Sequence, residues 1–326
     1  MLPTFPDLRI TWKENRLKVD DSSNISTSQQ EKSLHFYIIT DSKQDFIQTR
    51  RIYRKALNAV KIAQWLLGEN LKTFEGTNFT FSYIDSRKTF VIPLIRAWIS
   101  DFSDIELYKN LKETLKFDDR NGHLVVYANS NKEKCPNRFV TLQNLAFICG
   151  DGLISVPTNL ADLKDFQCGS NFMNSDRVRA ASHYILAMLH EILHVFLIPH
   201  SNTGLMNQND VCDTIGNYLC DKRNCSCFTD LNKLDSLSIE LARRSSFING
   251  RNSDLKVTQF AEDSKLLIEC LSGESIDYLL EIRNSDSSIR NVQKCASQKV
   301  EAKISENYRL LVATAVSLHH ISLRNG

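Results

Sequence analysis

Residues 190–200 read His-Glu-Ile-Leu-His-Val-Phe-Leu-Ile-Pro-His, and no other stretch constrains the chain as tightly. His190 and His194 are four residues apart, so on a helix they leave one face, a turn apart. That spacing lets two imidazoles share one metal ion, with Glu191 close enough to act on a water held there. Apolar runs from Tyr184 to Met188 and from Val195 to Ile198 suit a buried helix. Pro199 disfavours helical geometry at Ile198, so the helix is predicted to stop there and the chain to turn, bringing His200 back toward the other two. Three of the eight histidines thus fall within eleven residues at metal-ligand spacing.

HExxH alone arises by chance in ordinary helices. Here a third histidine follows beyond a helix breaker, and the short run Gly204-Leu205-Met206-Asn207 then delivers a methionine. The pattern resembles the metzincin zinc metallopeptidases, whose motif is HExxHxxGxxH followed by a Met-turn beneath the metal. The resemblance implies zinc ligands at His190, His194 and His200, a general base at Glu191 and the Met-turn residue at Met206. One position departs: the family's glycine falls on Leu197. A branched side chain is costly at positive φ, so either the turn is built differently around Pro199 or the third ligand is not His200.

After Met206 come Cys212, Cys220, Cys225 and Cys227, four of nine cysteines. Four thiolates can hold a second, structural zinc; two disulfides or free thiols are the alternatives. The arrangement resembles the archaemetzincins, intracellular metzincins with a cysteine-bound second zinc downstream of the motif. It departs from them in having Cys225-Ser226-Cys227 in place of CxxC, and Ser201 where the family has its first cysteine.

At 326 residues and 42% hydrophobic content the chain can bury one large core or two smaller ones. A net charge of +2 with interspersed signs gives no electrostatic case for nucleic acid or an anionic membrane. No apolar run reaches transmembrane length. The start Met-Leu-Pro-Thr-Phe-Pro-Asp lacks the features of a secretory signal, which predicts a cytoplasmic protein and makes the sequons at Asn24, Asn78 and Asn224 meaningless. The alternative is secretion, if Met1 is not the native start.

The polar residues 1–32 read as a flexible arm and 33–248 as the catalytic domain, with 33–200 its N-terminal subdomain and 201–248 the Met-turn and cysteine segment. Leu34–Ile39 is predicted as a strand in which His35 is an ordinary member. Gln48–Leu71 follows as a helix, with Ile52, Ala56, Val60, Ala63 and Leu67 inward and the basic group Arg50, Arg51, Arg54, Lys55 and Lys61 on a solvated face. Phe79–Ile84 is a second strand, Ile92–Phe117 is helical with a break near Ser103, and His123–Tyr127 is an interior strand. Asp176 is placed to cap the motif helix. The resemblance assigns the substrate-pairing edge strand to Leu153–Val156. From 249 to 326 the segments Val257–Leu271, Ile276–Ile282, Val292–Ile304 and Tyr308–Leu323 read as helices that pack on the catalytic domain or recruit a protein partner. His319-His320, being adjacent, diverge, and Cys270 and Cys295 read as core residues or a pair.

The expected class is α/β (an α+β zincin, metzincin-like): a mixed twisted sheet with an active-site helix and a mostly helical C-terminal region. The expected activity is zinc-dependent peptide hydrolysis by Glu191-assisted attack of water on a peptide or protein substrate. A gluzincin arrangement with Glu240 as third ligand is one alternative. A catalytically weak binding module is the other.

Overall fold

The computed structural model describes residues 32–40, 46–71, 80–92, 95–128, 138–159, 176–207, 233–259, 265–305 and 307–321. The arm expected at 1–32 and the four cysteines of 212–227 lie almost wholly or wholly outside them.

The N-terminal half is a five-stranded sheet in the order β2-β1-β3-β5-β4. Its strands are β1 (Leu34–Thr40), β2 (Tyr83–Val91), β3 (Gly122–Tyr127), β4 (Arg138–Leu142) and β5 (Leu145–Cys149). The first three and β5 run parallel; β4 is antiparallel to β5 at the edge. Every residue of β3 and β5 is buried, as in a sheet covered on both faces. Alternation divides them: Leu124, Val126, Ala146 and Ile148 face one core, and Val125, Tyr127, Leu145 and Phe147 the other.

On the first face lie α1 (Phe46–Leu71) and α4 (Asp176–Val195), and on the second α2 (Ile95–Asp101) and α3 (Asp104–Leu115). Ser103 breaks the α2–α3 stretch as expected, by capping α3 in a reciprocal box with Glu106. Arg50, Arg51 and Arg54 are exposed. Lys55 is not: it is buried and donates to the Ile154 carbonyl, and burial pushes its ammonium down to about 8. Asn58 of the same helix donates to Pro157 and Thr158, so α1 holds residues 154–158 in place.

That segment corrects one expectation. Asp151–Ser155 is a 3-10 helix against α4, not an edge strand. A Cβ on Gly152 would stand 2.3 Å from the Ala180 carbonyl oxygen, so glycine sets how closely the two pack. The edge strand is β4, turned back from β5 through Gln143 at φ +53. The second predicted strand is also displaced, to Tyr83–Val91.

The C-terminal region is not helical. After α5 (Ser236–Arg244) and the short α6 (Ser246–Asn249) come seven strands: β6 (Leu255–Gln259), β7 (Lys265–Cys270), β8 (Ile276–Arg283), β9 (Ile289–Ser297), β10 (Lys299–Lys303), β11 (Tyr308–Thr314) and β12 (Leu318–Ile321). They form two antiparallel sheets, β10-β7-β6 and β12-β11-β8-β9. The physical reason for the misreading lies in β8 and β11, which bury both faces. Leu279, Leu310 and Val312 pack on the three-stranded sheet, while Leu280, Ile282, Leu311 and Ala313 join the core of α1 and α4. A two-sided strand loses its strict alternation, and without it periodicity cannot tell a strand from a segment of buried helix. Among the described residues, the helices expected to carry a partner surface are strands. Arg244, steadied by Glu240 on its own helix, fastens α5 to this sheet through Asp277 (2.9 Å) and the Thr314 carbonyl (2.9 Å). Cys270 and Cys295 are free thiols, the first in the core. His319 and His320 sit on β12 and point to opposite faces of a strand.

Candidate active site

The motif helix α4 buries fourteen of its twenty residues, His190 and Glu191 among them. Each buried Leu or Ile contributes about 1.5–3 kcal/mol, so the site stands on a helix fixed by packing. Asp176, expected as the cap, is instead the first residue of the helix and an acidic group in its first turn.

The helix ends in a Schellman motif. The Leu197 N–H donates to the His194 carbonyl (2.9 Å), and the Ile198 N–H to the Leu193 carbonyl (3.0 Å). The residue between must take a left-handed conformation, and Leu197 does, at φ +71. The turn that glycine makes in the metzincin motif is thus made here by leucine. Pro199 follows and the chain reverses to His200.

The three histidines converge. Their Nε2 atoms are 3.1 Å (His190–His194), 3.0 Å (His190–His200) and 2.9 Å (His194–His200) apart. Each Nδ1 is taken by a backbone carbonyl: Leu205 for His190 (2.8 Å), Ile198 for His194 (2.8 Å) and Asp286 for His200. A carbonyl only accepts, so each Nδ1 carries the hydrogen and each Nε2 of the neutral ring carries a lone pair. Three lone pairs at this distance repel unless a cation lies among them. Nitrogens around a tetrahedral zinc with 2.0–2.1 Å bonds stand about 3.3 Å apart, so the group fits such an ion with a few tenths of an ångström of spreading. These histidines are the metal-competent group among the described residues. In the metal-free protein burial pushes His190 down to about 4 and His194 well below its ordinary value, and lowers His200 too. All three are therefore neutral and able to coordinate at pH 7.

Beneath them Gly204–Met206 forms a 3-10 turn with Met206 fully buried. Gly204 takes φ +73, and a Cβ there would meet the Lys233 carbonyl oxygen at 2.2 Å. The Leu205 N–H donates to that same carbonyl (2.8 Å), which holds the Leu205 carbonyl against His190. Glu240 is not part of the group; it pairs with Arg244 on its own helix.

Glu191 is buried, and burial raises its carboxyl to about 7 against the opposing hydrogen bond from Thr141. The Thr141 hydroxyl on β4 lies 2.7 Å from Glu191 Oε2 and 2.9 Å from the Glu191 carbonyl oxygen. Sequence reasoning missed Thr141 and Asp286. Neither has a local motif; each reaches the site only through tertiary pairing.

No protein-family profile matches the chain, and no curated protein matches it. Solved structures do. The wild-type OgpA of Akkermansia muciniphila aligns with a TM-score of 0.52 at 14% identity, covering 93% of this chain and 96% of that one. Catalytically inactive OgpA in complex with an O-glycopeptide (glycodrosocin) substrate aligns with a TM-score of 0.51 at 13% identity, covering 94% and 97%. The likeness is one of fold and spans both halves of the chain.

Proposed function

We propose that this chain is a zinc-dependent peptidase of metzincin type, with His190, His194 and His200 as ligands and Glu191 as general base. The observation that carries the reading is the convergence of three Nε2 lone pairs whose Nδ1 partners are all backbone carbonyls. A zinc ion held there supplies a Lewis acid for the substrate carbonyl and lowers the pKa of water bound to it. Glu191, beside the ligands and steadied by Thr141, takes the proton of the attacking water and passes it to the leaving amine. The edge strand β4 offers unpaired backbone groups for an extended peptide, alongside the helix that bears Glu191. Met206 floors the group.

The O-glycopeptide bound to OgpA makes glycosylated peptides the first substrate class to try. The archaemetzincin-like second zinc, on Cys212, Cys220, Cys225 and Cys227, remains part of the proposal. Cys149 is disulfide-bonded, with its partner outside the described residues, and such a cross-link persists in oxidising compartments. It favours the secreted alternative over the cytoplasmic one. Among the described residues no helix is long and apolar enough to cross a membrane.

The test is hydrolysis of a mixed library of plain and O-glycosylated peptides, read by mass spectrometry with and without a chelator. Cleavage that is lost to the chelator, restored by zinc and absent from Glu191→Ala supports the reading. Cleavage indifferent to chelator and to Glu191 refutes it.

A further inference from the structure

Two of the three histidines stand on α4 and share its packing. His200 does not: it lies beyond the helix and meets α4 only through the imidazoles of His190 and His194. What holds it comes from the C-terminal sheet. The His200 N–H donates to the Ser287 carbonyl (3.0 Å), its Nδ1–H donates to the Asp286 carbonyl, and residue 200 forms a parallel bridge with Ser288. Both faces of this amino acid, backbone and ring, are thus read by residues 284–288, the turn between β8 and β9.

That turn is itself built with care. The Asp286 carboxylate accepts from the Ser288 N–H (3.0 Å) and hydroxyl (2.6 Å), and pairs with Arg283 (3.2 Å). The Ser287 N–H donates to the Arg283 carbonyl (3.0 Å), and Ser287 sits at φ +56. From β11, Arg309 donates to the Ser287 hydroxyl (2.8 Å). A hairpin tip needs none of this to reverse a chain. It needs it to aim two carbonyls.

We infer that the 284–288 turn is a positioning element of the metal centre, Asp286 being the side chain on which its aim depends. The C-terminal sheets are then not an appendage: zinc binding at the histidines and docking of β8–β9 are two readings of one equilibrium. This rests on the proposed metal site, but its test does not need peptide cleavage.

Full-length protein, stripped of metal, is titrated with Zn2+ against a chromophoric chelator, the histidine site being the binding class that His194→Ala removes. Asp286→Ala keeps the carbonyl that His200 donates to but loosens its aim, so it is expected to weaken that class by about 10-fold, the low end of what losing an outer partner of a ligand costs. Asp286→Asn, which still accepts from Ser288, is expected to recover most of it. A merely structural Asp286 gives the opposite pattern, with a lowered urea midpoint and unchanged zinc affinity, and overturns the inference. Should Asp286→Ala fail to fold, hydrogen exchange on the unaltered protein decides: zinc is expected to slow the amides of His200, Arg283 and Ser287, and slowing confined to α4 refutes the coupling. An unaltered protein that binds no zinc at all removes the proposed function and this inference with it; equal affinity in Asp286→Ala removes this inference alone.

Discussion

Leu197 offers a test in which the usual ranking of two substitutions should invert. The residue is held at φ +71 by the two hydrogen bonds of the Schellman turn, and its side chain packs partly buried against the main core. A residue with a Cβ in this conformation costs about 1–2 kcal/mol, which glycine does not incur. Truncating a half-buried leucine loses about 1–2 kcal/mol of packing, taken as under half of what full burial costs. Leu197→Ala suffers that loss and keeps the strain. Leu197→Gly suffers the same loss and sheds the strain, but its looser unfolded chain returns about 0.4–1 kcal/mol. The glycine variant should therefore be the more stable of the two by about 0.5–1 kcal/mol, although both fall below the natural protein. Leu197→Asn should lie between, since asparagine tolerates the left-handed region. Urea unfolding of the three variants, followed by far-ultraviolet circular dichroism, measures the order. An alanine variant as stable as the glycine variant would show that the turn relaxes away from positive φ and that the strain does not exist. Peptide cleavage by Leu197→Gly should be retained, because the Ile198 carbonyl that orients His194 keeps its place in the turn.

Glu191→Ala should lower kcat/KM by at least about 10²-fold with the histidine-bound zinc retained; loss of that metal would speak against its assignment as base rather than ligand. Thr141→Val should lower kcat roughly 10-fold with KM and zinc content unchanged, and Thr141→Ser should restore it, because what Glu191 needs is a hydroxyl at 2.7 Å; equal rates for Val and Thr would discard the role. Stability of the metal-free protein should rise between pH 4 and 6.5. His190 binds its proton at about 4 when folded and near 6.5 when unfolded, so this histidine alone adds about 3 kcal/mol that is present above pH 6.5 and lost as pH falls toward 4. His194 and His200 shift in the same direction, and Glu191, raised to about 7, works against them between its unfolded value and pH 7. Urea midpoints at pH 5 and 6.5 in the presence of a chelator check the sign, and a falling midpoint would mean that the imidazoles are not held neutral. Elemental analysis should find two zinc ions per chain, one lost on replacing Cys225 and Cys227 with serine and the other in His194→Ala; a single zinc, with those cysteines recovered as disulfides, would remove the second site.

Much of the N-terminal half was readable because its signals are local. Ile52 to Leu67 recur at helical spacing and α1 forms there; Ser103 and Glu106 make a capping box and the chain breaks there; His190, His194 and His200 carry their chemistry in their spacing. The hairpin of β4 and β5 was missed because its turn uses Gln143 at positive φ, where Asn-Gly or Asp-Gly would have announced it. The resemblance placed the edge strand at Leu153–Val156 instead. In the C-terminal third, β7 does alternate, with Leu266, Ile268 and Cys270 inward. The two-sided β8 and β11 do not: in β8 the spacing of Ile276, Leu279, Leu280 and Ile282 is that of a helix face as much as of a strand. Thr141 and Asp286 could not be found at all from the chain alone: one lies 50 residues before Glu191 and the other 86 after His200.

That last separation has a consequence in time. A ribosome adding about 5–20 residues per second takes roughly 4–17 s to travel from His200 to Asp286. During that interval the nascent chain can already fold α4 against the parallel sheet, with two histidines on the helix and the third unheld. The three-histidine group closes only after β8 and the turn that follows it have emerged and docked. In the order of synthesis the motif helix comes first, and the turn that holds His200 in place comes 86 residues later.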